Sequence, residues 1–187
     1  MAKKRVGVIG ATGAVGAEIL NVLDDRNFPL ESLTLFASKR SAGKKIKFKG
    51  EDLVVKELTE DFYKDIDIAL FSAGSGISKK FAPIAAKNNV IVIDNSSAFR
   101  MDEDVPLVVP EVNPEDVKGH KGIIANPNCS TIQMVVALWP VYKEFGIKKI
   151  IVSPYQAASW AGAKAMEELS NQAKQYATGK DLTVENF

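Results

Sequence analysis

The sequence predicts a doubly wound α/β fold with a mostly parallel sheet, and three observations predict it. Short runs rich in Val and Ile alternate with segments of helical period. A glycine-rich turn joins the first such run to the first helical segment. The chain is long enough, at 187 residues and 46% hydrophobic, to bury a sizeable core.

The elements follow in order. "RVGVIG" (5–10) reads as a strand, residues from about 14 to 23 as a helix, and "SLTLFAS" (32–38) as the second strand. "KIKFKG" and "LVVKEL", on either side of a Gly-Glu-Asp turn, predict a hairpin or an extended excursion. "DIDIALFSAG" (65–74) leads to a helix near 77–87, and "VIVIDNSS" (90–97) follows as a strand. Continuous β-branched runs between helices imply a sheet covered on both faces. "PLVVPEVNPEDVKGHKG" (106–122) is the longest irregular stretch.

Charge narrows the partners. Lys and Arg number 24 against 23 Asp and Glu, a net charge of +1, which argues for neither nucleic acid nor an anionic membrane and leaves a small metabolite. A single cysteine forms no internal disulfide, so a cytoplasmic setting is expected. The opening "MAKKRVGVIGATGAVGAEIL" imitates a signal peptide, but Glu18 interrupts its apolar run. No stretch approaches the ~20 apolar residues of a membrane span.

The motif "GATGAVG" places Gly10, Gly13 and Gly16 between a strand and a helix, with Thr12, Ala14 and Val15 between them. Glycines there let the backbone approach a pyrophosphate, which the amide N–H groups of the helix N-terminus then hold. The second strand ends in "ASKRSAGK", with Ser38, Lys39, Arg40, Ser41 and Lys44 and no acid for a ribose 2′-OH. Hydroxyls and cations suit a 2′-phosphate, which favours NADP over NAD. A ligand-free turn and a solvated basic loop are the plain alternatives.

The only cysteine, Cys129, sits in "IIANPNCSTIQMVVALWP" where a helix is expected to begin. A helix N-terminus favours the thiolate form of a cysteine. Asn128 offers a side-chain N–H and Cys129 its own amide to a developing oxyanion, while Ser130 and Thr131 suit a first helical turn. A lone cysteine out of context is more often a small buried hydrophobe.

"GATGAVG", "RSAGK", "ALFSAG", "DNSSAFR", "PLVVPEVN", "NPNCST" and "YQAAS" stand in the order and spacing of aspartate-semialdehyde dehydrogenases, which the chain resembles over essentially its whole length. The resemblance implies NADP held by Gly10, Thr12, Gly13, Ala14, Val15 and Gly16 and by Ser38, Arg40 and Ser41. It places Ser72, Ala73 and Gly74 beside the cofactor. It makes Cys129 the nucleophile, Gln156 the residue that orients the substrate, Arg100 the contact to the acyl phosphate and Asn128 a neighbour of the oxyanion. The implied reaction is reversible conversion of β-aspartyl phosphate to aspartate semialdehyde through a thioacyl enzyme, serving lysine, threonine and methionine biosynthesis, in a homodimer without metal. The implied architecture is a Rossmann-type domain over 1–128 and the beginning of an α+β substrate domain over 129–187.

Two departures qualify the match. The family draws its acid/base histidine and a carboxylate-binding arginine from a later segment, whereas the sole histidine here, His120, lies in "KGHKG" on an expected surface turn. "SPYQAASWAG" stands where the family has "STYQAVSGAG", so Pro154 and Trp160 predict a differently shaped loop around Gln156. The chain then reads as a fragment, as one part of an association, or as a non-catalytic NADP-binding module. N-acetyl-glutamyl-phosphate reductases share the reaction type but not the "NPNCST" motif. Tyr176 and Lys180 match the letters of a short-chain dehydrogenase pair, but Gly179 is expected to stop the helix between them.

Overall fold

The computed structural model describes residues 2–185. The first unit of the fold is β1 (Lys4–Ile9), α1 (Ala14–Asp25) and β2 (Leu30–Ala37). A hairpin of β3 (Lys45–Phe48) and β4 (Glu51–Val54) follows, closed by Lys49 and Gly50 at φ 50° and 85°. Two consecutive positive φ values give the turn whose twist suits an antiparallel pair. The chain continues through β5 (Lys56–Glu57), β6 (Ile68–Phe71), α2 (Ser75–Lys87), β7 (Ile91–Asp94), β8 (Ile123–Ala125) and α3 (Cys129–Phe145). Thus the expected excursion is a hairpin, and a short strand that the sequence reading did not separate, β8, leads into the thiol-bearing helix.

The six-stranded sheet has the order β5-β2-β1-β6-β7-β8, with all its pairings parallel. Numbered along the chain within that sheet, the order is 3-2-1-4-5-6, the doubly wound arrangement. The winding reverses between β1 and β6, which opens a crevice at their carboxyl ends. At the other end, Arg5 of β1 reaches Asp67, just before β6, with Nη2 at 2.7 Å and its backbone N–H at 2.8 Å from the carboxyl oxygens. Those hydrogen bonds hold the Asp67 carboxyl at about 2, below its usual 3.8.

Two apolar clusters lie on opposite faces. Val6, Val8 and Leu35 meet Leu20 and Leu23 of α1 on one face. On the other, Ile9, Ala69, Phe71 and Val92 meet Phe81, Ala82 and Ala85 of α2. Phe62 centres this second cluster, with edge-on contacts to Phe36, Phe71 and Phe81 at 5.7, 5.9 and 6.0 Å. Coverage on both faces does not extend across the whole sheet. Ile91 and Ile93 of β7 remain 36% exposed while Val92, pointing the other way, is wholly buried. The cause is local: α1 covers the β1–β2 side, and α3, although rich in apolar residues, buries none of them among the described residues.

The chain divides into two compact units, Met1–Lys149 and Ile150–Phe187, so that α3 stands with the first although the sequence reading starts the second domain at 129. In the second unit a 3-10 turn (Ala158–Ala161) precedes α4 (Ala163–Ala177), and the following segment folds back on α4 through Gln175 and Thr183. Trp160 lies within the 3-10 turn, and the positive φ falls instead on Gly162, at 94°. The loop thereby accommodates tryptophan without strain. α4 ends before Gly179, which has φ 66°, leaving Lys180 outside the helix that carries Tyr176.

Candidate active site

The glycine turn runs from the end of β1 into α1. Gly10 has φ 90°, and a Cβ on it would lie 2.4 Å from the Ser72 carbonyl oxygen. A Cβ on Gly16 would lie 2.3 Å from the Gly10 carbonyl oxygen, so both positions exclude any side chain. No side chain caps α1 at Gly13, and no acid occupies its first turn. Thr12, Gly13, Ala14 and Val15 are exposed around this helix start. An accessible helix N-terminus of this kind accepts an anionic group.

Two neighbouring segments complete that edge. Ser72 donates its backbone N–H to Ile9 at 2.8 Å, which seats Ser72, Ala73 and Gly74 against the glycine turn. Gly74, at φ 86°, starts α2 without a side-chain cap. After β2, Ser38 leads into a 3-10 turn, Lys39–Ser41; Ser38, Lys39 and Arg40 are exposed and Ser41 is buried. Open cations at the carboxyl end of β2 fit a phosphate on the adenosine side of a dinucleotide, and the glycine cradle fits its pyrophosphate.

Farther along the same edge, Arg100 is half-buried and directed by main-chain oxygens. Its Nε donates to the Asn126 carbonyl at 2.9 Å and its Nη2 to the Asn95 carbonyl at 3.1 Å. Among the described residues no carboxylate pairs with it. The Asn126 side chain donates Nδ2 to Asn95 Oδ1 at 2.6 Å, joining the ends of β7 and β8. Beneath them the buried Asp94 accepts from Ser78 and Ser96. The sequence reading did not single out Asp94, Asn95, Asn126, Ser78 or Ser96. The available signal was an acid ending the apolar run "VIVID".

Cys129 is the first residue of α3 and is exposed. Asn128 caps that helix: its Oδ1 accepts the N–H groups of Ser130 at 3.0 Å and Thr131 at 3.3 Å. The cap fixes the amide so that Nδ2, its donor, faces away from those N–H groups. His120 lies before β8, at the opposite edge of the sheet, where its Nδ1 accepts the Gly122 N–H at 3.0 Å. Gln156 belongs to the second unit, in an open groove of about 550 Å³ lined with Trp160, Glu168, Leu169 and Gln172. Among the described residues no group of three or more potential ligands is placed to hold a metal ion, and no helix is long and apolar enough to cross a membrane.

Comparison with known proteins agrees with this geometry. The family described as semialdehyde dehydrogenase, NAD binding domain, matches residues 5–120, and the semialdehyde dehydrogenase dimerisation domain matches 138–187. The aspartate-semialdehyde dehydrogenase of Aquifex aeolicus is 62% identical over 95% of this chain and 53% of its own length. That of Bacillus subtilis is 55% identical over 96% of this chain and 52% of its own. The crystal structure of aspartate semialdehyde dehydrogenase II from Vibrio cholerae complexed with ASA superposes with a TM-score of 0.95 at 48% identity, covering 100% of this chain and 56% of that one. The Candida albicans enzyme with NADP gives 0.67 at 31% identity, over 78% of this chain and 48% of that one. The chain spans about half the length of the relatives it matches. It belongs to the aspartate-semialdehyde dehydrogenase family.

Proposed function

We propose that this chain supplies the NADP site and the thiol nucleophile of an aspartate-semialdehyde dehydrogenase, which converts β-aspartyl phosphate reversibly to aspartate semialdehyde in lysine, threonine and methionine biosynthesis. One observation carries the reading: the uncapped glycine turn, Arg100 and Cys129 all lie along the carboxyl edge of a single parallel sheet. Gly10, Gly13 and Gly16 admit the pyrophosphate to the N–H groups of α1, with Thr12, Ala14 and Val15 as the exposed rim. Ser38, Arg40 and Ser41 receive the 2′-phosphate, and Ser72, Ala73 and Gly74 flank the cofactor. NADPH, when bound, supplies the hydride.

The chain's own groups account for the covalent step. Arg100 holds the acyl phosphate through the guanidinium N–H groups not engaged by Asn95 and Asn126. The Cys129 thiolate attacks the β-carbonyl carbon, the bond from that carbon to the phosphate oxygen breaks, and phosphate leaves with the electron pair as a thioester forms. Asn128 donates Nδ2 to the carbonyl oxygen while charge collects there, a contribution worth about 10²- to 10³-fold where a single such donor has been removed. The motif "YQAAS" supports Gln156 as the residue that orients the substrate. The dimerisation-domain match supports a homodimer, the lone thiol supports a cytoplasmic setting, and the start of α3 supports 128/129 as the boundary between cofactor and substrate functions.

The test is the mass of the chain after incubation with β-aspartyl phosphate. An aspartyl adduct is expected on the unaltered chain, absent from C129S and diminished in R100A. Turnover of semialdehyde, NADP and phosphate by these 187 residues is expected to be slow. A positioned general base contributes ~10²- to 10⁴-fold, and the one imidazole, His120, is at the wrong edge of the sheet. NADP binding with no adduct would favour the non-catalytic module instead.

A further inference from the structure

Asp94 is wholly buried at the end of β7 and takes no part in the chemistry above. Its Oδ1 accepts the Ser78 hydroxyl at 2.6 Å and the Ser96 N–H at 3.2 Å, and its Oδ2 accepts the Ser96 hydroxyl at 2.7 Å. Ser96 Oγ accepts in turn the Ala98 N–H at 3.1 Å. One carboxyl group thus joins β7, the first turns of α2 and the turn 95–100. A buried polar group of this kind costs stability unless its partners satisfy it, and an apolar residue would pack there without that cost. The carboxyl group adds direction.

That direction ends at Arg100. Its guanidinium is aimed by two carbonyls, those of Asn95 and Asn126. Asn95 follows Asp94 in the chain, and Asn126 donates its N–H to the Asp94 carbonyl at 2.8 Å. Both oxygens that set the plane of the guanidinium are therefore referred to the same residue. We propose that Asp94 is a positioning residue which, through Ser96 and Ser78, holds the turn 95–100 so that Arg100 presents its guanidinium to the acyl phosphate. The inference rests on the reading of Arg100 as the phosphate contact. A merely structural Asp94 would influence stability alone.

The experiment is a titration of the chain with inorganic phosphate, followed by the Arg100 Nε–H resonance in NMR and by calorimetry. NADP affinity of each variant reports that the sheet and glycine turn have folded. R100A is expected to lose phosphate binding. S96A is expected to bind phosphate about tenfold more weakly, the scale of one or two lost hydrogen bonds, with NADP affinity retained and the Nε–H resonance broadened. S96T, which restores the hydroxyl, is expected to recover most of the affinity. Where S96A loses NADP binding and so has not folded, S78A carries the test, with about threefold weakening expected from one lost donor. Phosphate affinity unchanged in S96A, or in S78A in its place, while R100A has lost it would overturn the inference alone, as would S96T no better than S96A. Retention of phosphate binding by R100A would overturn the Arg100 reading and the inference with it.

Discussion

Replacing Gly16 by alanine tests whether the glycine turn is as tight as its geometry states. The added Cβ would meet the Gly10 carbonyl oxygen at 2.3 Å, Ala11 Cα at 2.8 Å and Ala11 carbonyl carbon at 2.9 Å. All three are backbone atoms, so no side-chain rotation relieves the contact. Overpacking of this kind costs typically about 1–3 kcal/mol, and the backbone partners place Gly16 near the upper end. Alanine in a helix returns about 1 kcal/mol of propensity, leaving a net loss of about 2 kcal/mol. For a chain of this length that lowers Tm by about 4–8 °C. Gly76 of α2 is the control, because a Cβ there has nothing within 4 Å, so G76A is expected to hold or slightly raise Tm. NADP affinity, measured by fluorescence titration, should fall at least about tenfold in G16A, since the shift that admits the methyl group displaces the carbonyl and Cα that shape the cradle. A G16A chain that melts at or above the unaltered temperature and binds NADP equally well would refute the claim that this contact limits the turn.

Three further outcomes follow from single side chains. R40E is expected to reverse much of the preference for NADP over NAD, since Arg40 is exposed beside the position proposed for the 2′-phosphate; equal affinities for the two cofactors in the unaltered chain would remove the basis for it. N128A should destabilise α3 by about 1 kcal/mol through loss of the cap, whereas N128D keeps an acceptor and should hold stability; both should lose acyl labelling of Cys129, because neither retains the Nδ2 donor, and full labelling of N128D would count against that role. The depressed Asp67 carboxyl adds stability that is fully present above its ordinary 3.8 and is lost as pH falls through about 2, so D67N should flatten the acid limb of a denaturation curve in that interval, and an unaltered limb would show the Arg5 pair to be without effect.

Legibility followed the range of the interactions. The strands and α1 announce themselves because a buried parallel strand needs a continuous apolar run, and a turn against a neighbouring backbone needs glycine; both requirements are met within a few residues of chain. Asn128 is legible for the same reason, as a polar residue before a helix. Asp94 is not. In a local reading an acid after "VIVI" marks a strand end in solvent, and only the return of α2 across the sheet brings Ser78, sixteen residues earlier, to its oxygen. The exposure of Ile91 and Ile93 is hidden likewise, since apolar composition declares that a face can be buried without declaring what lies over it. Gln156 was found by motif, and its groove depends on side chains of α4 that no local pattern connects to it.

The three glycines of the turn separate structural from functional reasons for a residue. Gly10 and Gly16 are required by the fold itself: each faces a backbone oxygen at a distance no Cβ tolerates, whether or not a ligand is bound. Gly13 is different. Its φ is −85°, a value any residue adopts, and a Cβ on it would come no closer than 3.4 Å, to the Gly10 carbonyl oxygen, which is ordinary contact. As the N-cap of α1 it is also a poor choice for stability, because Ser, Asp or Asn there would satisfy an N–H group that glycine leaves open, a difference of a few tenths of a kcal/mol. Folding alone therefore gives no reason for glycine at this position. An approaching pyrophosphate does: a capping side chain would occupy the space in front of the helix, and its oxygen would compete for the N–H groups that the phosphate needs. Asn128, which caps α3 with its own oxygen, shows the opposite solution at a helix start whose proposed role rests on a thiol.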